Sequence, residues 1–253
     1  MNNMFDGTGY TSMTSLDLGN SFDTSNVADM KYMFSETGYT AMTSLDLGNK
    51  FDTSSVTEMT AMFFRTGYTA MTSLNLGNKF DTNNVIEMGA MFNGTGYTKM
   101  TSLDLGDKFS TNNAINMGNM FYETGATAMT ALDLGPLFTS IAFDSTNMFT
   151  NTGKSGAVIY APEAIYKNNT SFKLSSGDTG TAEEEIAVST GRTINPIYKP
   201  EWTKVSSSLN TTNKTLSIVV KANANKTQTV NGVNINYNSN VTSSLSNSAI
   251  TVF

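Results

Sequence analysis

The chain has 253 residues, a formal net charge of -6, and neither cysteine nor histidine. That length allows one or two domains with their own cores. The acidity argues against a basic nucleic-acid footprint and against charge-driven binding to anionic lipid, and the missing side chains exclude Cys/His zinc sites, Cys nucleophiles and Ser-His-Asp triads. Charged residues make up only 14%, and the abundance of Thr, Ser, Asn and Gly favours a stacked or β-rich architecture over a helical bundle. No apolar run approaches the ~20 residues of a membrane span, so no membrane insertion is expected; no signal peptide opens the chain.

In chain order, the first element is a repeat. Leu16, Leu45, Leu74, Leu103 and Leu132 recur every 29 residues, as do Met33-Phe34, Met62-Phe63, Met91-Phe92 and Met120-Phe121. A period of this length predicts a solenoid, in which no unit buries its apolar face alone. Met1-Asn2-Asn3-Met4-Phe5 is in register with Met30-Lys31-Tyr32-Met33-Phe34. The chain is therefore expected to begin inside a repeat, as a piece of a longer protein whose export signal and earlier coils lie outside it. An uncapped first coil also predicts self-association.

Each coil divides in two. The first half, Tyr39-x-x-Met42-x-x-Leu45-x-Leu47-Gly48, predicts a short strand with Leu45 and Leu47 inward and Ser44 and Asp46 outward. The second half, Val56-x-x-Met59-x-x-Met62-Phe63, has apolar residues at i, i+3, i+6 and i+7, which predicts a short helix or a pair of helical turns. Ser55 and Glu58 have capping-box spacing at its entry, and Thr66-Gly67 marks its exit. The expected fold class is a leucine-rich-repeat-like solenoid, one short parallel strand plus a short helical segment per coil, over residues 1–153.

Here a resemblance becomes specific. Met13-Thr14-Ser15-Leu16-Asp17-Leu18, then Phe22-Asp23-Thr24-Ser25-Asn26-Val27, then Met30 and Met33-Phe34, recurring through residue 149, resembles the BspA-like leucine-rich repeats of bacterial surface proteins. It covers about three fifths of the chain in five near-copies. The resemblance implies attachment to the bacterial surface and adhesion to host cells, matrix or other bacteria. Two departures point to a variant coil. The usual repeat asparagine is replaced by Ser21, Lys50, Lys79, Lys108 and Leu137, and Tyr10, Tyr39, Tyr68 and Tyr97 stand where relatives often have Cys.

After Phe121 the pattern decays, and Ala157-Tyr160, ending at Pro162, is expected to close the last coil. Residues 154–200 are assigned as a C-terminal cap and junction. From Trp202, four short strands are expected at 205–209, 215–221, 233–237 and 248–253. Residues 201–253 resemble the opening strands of a bacterial immunoglobulin-like module, which at about 100 residues would be truncated here.

The outward column of the strands holds Ser15, Asp17, Ser44, Asp46, Ser73, Asn75, Ser102, Asp104 and Asp133, the candidate ligand-binding residues. Stacked carboxylates repel and would welcome a cation such as calcium. Solvated acids on an open sheet face are the preferred reading, so no cofactor is expected and calcium is the alternative. The tyrosine column offers stacking platforms, but its alignment with Met13 and Leu16 favours partial packing into the core. The methionines fall at core positions. A catalytic acid pair needs unlike environments, which near-identical rungs do not supply, so no catalytic residue is assigned.

The expected function is a non-enzymatic, adhesin-like binding module, extracellular or at the bacterial cell surface, whose partner is a surface protein or glycan. A structural spacer is the alternative, followed by a glycan-cleaving enzyme.

Overall fold

The computed structural model describes residues 1–19, 21–139 and 144–162, and beyond them the backbone of strands at 172–173, 179–180, 202–210, 215–222, 227–230, 233–236 and 241–246. The chain falls into two compact units, Met1–Lys199 and Pro200–Phe253.

The first unit holds a parallel β-solenoid. Its strands are β1 (Ser15–Asp17), β2 (Ser44–Asp46), β3 (Ser73–Asn75), β4 (Ser102–Asp104), β5 (Ala131–Asp133) and β6 (Val158–Tyr160). They stack in strict register, Leu16 on Leu45, Leu45 on Leu74, Leu103 on Leu132 and Leu132 on Ile159. The expected closing run at 157–160 is thus a rung of the same stack. Hydrogen-bonded pairing forms two three-stranded blocks, β1-β2-β3 and β4-β5-β6. On the opposite side of the coil the chain is continuous: parallel bridges link Asp29, Glu58, Glu87, Asn116 and Asp144 in turn.

The expected helical segment is not there. The stretch from Met30 to Gly38 is instead a succession of turns, in which backbone N–H groups alternate between two kinds of partner. Met33, Ser35 and Thr37 donate three residues back, to Met30, Tyr32 and Phe34. Met30, Tyr32, Phe34 and Glu36 donate to the next coil, to Glu58, Thr60, Met62 and Phe64. A helix would use all these donors internally; here four of the seven join the coils. The turns demand left-handed backbone at two places per coil, φ 54° at Tyr32 and 51° at Glu36, in the third position of a type II turn. Consecutive turns still bring residues three and four apart to one face, which is why Met30, Met33, Phe34 and Thr37 are all buried.

The capping box also fails to form. The Ser55 hydroxyl donates to the Ser25 carbonyl of the preceding coil at 2.7 Å, and the Glu58 carboxylate accepts from the Thr60 N–H at 2.9 Å. The Thr-Gly exits behave as expected, with φ of 55°, 54°, 54° and 55° at Gly38, Gly67, Gly96 and Gly125.

The core is a set of like-on-like columns. Phe5, Phe34, Phe63, Phe92, Phe121 and Phe149 stack at 5.3–5.6 Å. A second phenylalanine column, from Phe22 to Phe138, meets the first at tilted ring pairs 6.0–6.4 Å apart. Methionine and leucine columns fill the remainder. Such offset and tilted pairs each add about 0.5–1.5 kcal/mol beyond area burial.

Two threonine columns are buried too, one of which the sequence marks only as the Thr-Gly exit. The hydroxyls of Thr37, Thr66, Thr95, Thr124 and Thr152 donate to the carbonyls of Phe5, Phe34, Phe63, Phe92 and Phe121 at 2.6–2.7 Å. Thr24, Thr53 and Thr82 work in both directions. Each hydroxyl donates to the carbonyl of Asp52, Asp81 or Ser110 and accepts that residue's N–H. These side chains clasp coil to coil where no strand exists. Replacing Thr95 by Val is expected to cost about 1–2 kcal/mol of stability by loss of one buried hydrogen bond. The same change at exposed Thr40 is expected to cost almost nothing; urea unfolding of the two variants compares them.

Among the later strands, β7 (Phe172–Lys173) pairs antiparallel with β8 (Thr179–Gly180). In the second unit β9 (Trp202–Asn210), β10 (Thr215–Ala222) and β13 (Val241–Ser246) form an antiparallel sheet with β10 central. β11 (Thr227–Val230) and β12 (Val233–Asn236) form a hairpin. Expected strands at 205–209, 215–221 and 233–237 correspond to β9, β10 and β12; β11 and β13 were not foreseen. The expected strand at 248–253 and much of the expected cap and junction at 154–200 lie outside the described residues.

Candidate binding surface

The outward residues of the strands stand where the alternation places them. Ser15, Asp17, Asp46, Ser73, Asn75, Ser102 and Asp104 are exposed, and Ser44 and Asp133 are half-buried. Their register is direct: Ser15 on Ser44 on Ser73, Asp17 on Asp46 on Asn75, then Ser102 beside Ala131 and Asp104 on Asp133. The sheet therefore brings the candidate residues together within each three-stranded block.

Their chemistry is more local than a ladder of free carboxylates. One oxygen of Asp17 accepts the Gly19 N–H at 2.7 Å, and Asp46, Asp104 and Asp133 accept from Gly48, Gly106 and Gly135 at 2.8–3.0 Å. Asn75 does the same for Gly77 at 3.0 Å. Each is an Asx turn, a short side-chain acceptor two residues before a left-handed glycine. Asn75 also donates its amide to an Asp46 oxygen at 3.1 Å, so the neutral third rung quenches repulsion at its neighbour. The column thus ends the strands as well as facing solvent. That the third rung is Asn shows the turn needs an acceptor oxygen rather than a charge.

A second acidic column behaves likewise. Asp23, Asp52 and Asp81 accept the N–H groups of Ser25, Ser54 and Asn83 at 2.9–3.1 Å. The Asp52 carboxyl is held below the ordinary carboxylate range by the Ser54 hydroxyl first, opposed by burial, with the Ser54 N–H and Lys79 assisting. Lys79 lies 3.2 Å from it. Because the folded-state value is lowered, the stability this group contributes is present above the unfolded value near 3.8 and fades as pH falls through the folded one. Asp52→Asn keeps the turn acceptor but not the charge, so it is expected to flatten that part of the acid-unfolding profile by lowering stability above pH 5 by up to about 1 kcal/mol.

The tyrosine column is half-buried, with Tyr10 at its more exposed end. Tyr10, Tyr39, Tyr68 and Tyr97 stack face to face at 4.6–4.9 Å with planes 3–11° apart. The rings cover one another's faces, which is the partial packing expected, so along the column only their rims are presented. Beside it the Arg65 guanidinium lies 5.1 Å from the Phe64 ring centre and 5.9 Å from that of Tyr68. Burial raises the Tyr68 phenol above its usual range. Arg65 covers Gly94, whose missing side chain leaves the room.

Fold and surface together define a repeat protein: a parallel β-solenoid of 29-residue coils whose polar columns cap its own turns. A family model described as Mycoplasma protein of unknown function, DUF285, matches residues 1–131 and, in an overlapping register, 40–159. The chain belongs to that family. No curated protein and no solved structure matches it. No helix among the described residues is long and apolar enough to cross a membrane.

Proposed function

We propose that the chain is a non-enzymatic binding module of the bacterial cell surface, adhesin-like, which engages a surface protein or glycan through many weak contacts repeated along its coils. The observation that carries this reading is the likeness of the coil phrase, from Met13 through Met33-Phe34 and its copies, to the BspA-like repeats. Antiparallel strands β9, β10 and β13 suit the immunoglobulin-like module that residues 201–253 resemble.

A spacer that only holds other modules away from the cell is the second reading. It draws on the Asx turns, since carboxylates that cap glycine turns have a structural reason to recur in every coil. Binding of the labelled protein to host cells and matrix proteins separates the two, with and without calcium. A parallel variant carries Asp17→Asn, Asp46→Asn, Asp104→Asn and Asp133→Asn, each conserving the turn acceptor as Asn75 does. Saturable binding by the parent supports the module, and its loss in the variant makes the strand face the contact surface. No binding by either folded protein favours the spacer.

A further inference from the structure

The tyrosine column stops before the solenoid does. After Tyr10, Tyr39, Tyr68 and Tyr97 the next place in register holds Ala126, and the one after holds Lys154. The backbone does not change at that point. The Thr127 N–H donates to the Tyr97 carbonyl at 3.1 Å, as Thr98 does to Tyr68 at 3.0 Å and Thr69 to Tyr39 at 2.9 Å. The Gly153 N–H donates to the Thr124 carbonyl at 2.9 Å, as Gly125 does to Thr95 at 3.1 Å. The place of a fifth ring is therefore defined by the coil, and alanine ends at Cβ without filling it.

Tyr97 lies with one ring face on Tyr68, 4.6 Å away and 11° from parallel. Its other face is turned toward Ala126, and among the described residues no other ring lies against it. The rim of this place is polar. The Thr127 hydroxyl donates to the Thr98 carbonyl at 2.6 Å, which leaves its lone pairs for an incoming donor. Lys154 is exposed one coil further on, and Glu123 is close enough to the column to act electrostatically on Tyr68.

An apolar plate surrounded by donors and acceptors fits a pyranose ring better than an aromatic side chain. The C–H face of a sugar stacks on the ring while its equatorial hydroxyls meet the rim. A phenyl or indole ring would use the plate and leave the rim groups to water.

We propose that Tyr97, Ala126, Thr127 and Lys154 form a site for one pyranose unit of a glycan, the sugar taking the place of the missing rung, with Lys154 favouring an acidic sugar. This gives the binding module above a position and a ligand class, and rests on that reading for its biological role.

Saturation-transfer NMR on the whole chain tests it, with methyl glucopyranoside, methyl glucuronide and p-cresol as probes. Both sugars are expected to receive saturation, the glucuronide more strongly. Ala126→Tyr should abolish both signals while the thermal midpoint holds or rises, because tyrosine already occupies this register in preceding coils. Tyr97→Ala should weaken sugar binding by about tenfold or more, and Lys154→Gln should bring the glucuronide down to the glucoside. Equal sugar signals from the parent and Ala126→Tyr, or none from the parent, overturn the site. Signal from p-cresol alone, lost in Ala126→Tyr, overturns the ligand class. A parent that binds sugar but not cells keeps the site and removes the surface reading. A parent that binds cells but gives no sugar signal, with cell binding unchanged in Ala126→Tyr, removes the site and keeps the surface reading.

Discussion

Replacing Phe92 by alanine is expected to remove about 3–5 kcal/mol of stability. The ring is fully buried, stacks on Phe63 at 5.3 Å and Phe121 at 5.6 Å, and meets Phe109 at 6.2 Å. Those neighbours flank it from the coils on either side, and each is held by its own stack, so the void cannot collapse from one side. Phe5→Ala, at the end of the same column and only half-buried, should cost less than half as much. Chemical denaturation of the two variants provides the comparison. Equal losses would mean that the coils do not share one continuous core.

Gly77→Ala is the second large effect, expected at about 2–5 kcal/mol from a left-handed backbone plus overpacking. Its φ is 75°, and a β-carbon there would collide with the carbonyl oxygen of Gly48, one coil back. That atom is backbone and cannot turn aside. Gly106 supplies an internal control. Its φ of 77° carries the same conformational cost, about 1–2 kcal/mol, but a β-carbon there would meet nothing within 4 Å. The difference between the two variants therefore isolates the contact. Gly106 follows β4, the strand that opens the second three-stranded block, so a small loss at Gly106 with a large one at Gly77 would also locate the looser seam of the solenoid.

The strand half of each coil was legible because it obeys the simplest rule. Leucines alternate with polar residues and a glycine follows, and the structure places them as read. The other half was misread because Met30, Met33 and Phe34 have spacing that a helix and a run of turns both satisfy. A distinguishing signal was present in two columns. One reads Asn3, Tyr32, Ala61, Ala90, Asn119, Asn147, and the other Gly7, Glu36, Arg65, Gly94, Glu123, Asn151, all with positive φ. Recurrent Asn and Gly at one place mark left-handed backbone, although Tyr32, Glu36, Arg65 and Glu123 adopt it too.

The outward column was legible as a surface but not as a set of turn caps, although Asp followed by Gly two residues later carries that chemistry. The buried threonines had no such signal. Thr66 and exposed Thr69 belong to the same TGYT phrase, and only the turn geometry decides that the first hydroxyl faces a carbonyl of the previous coil. Nor could the slot beside Tyr97 be seen before the rings were known to stack. An alanine in a tyrosine column is a gap only if the column is continuous.

The buried columns have a consequence for heredity. Each core side chain meets mainly copies of itself from adjacent coils, Phe on Phe and Leu on Leu. Unequal recombination that adds or deletes one whole coil joins surfaces already matched, so no compensating mutation is needed. Length can then drift among descendants while each interface stays as it was. What selection sees first in such a gene is a longer or shorter reach, and only later a change in any single residue.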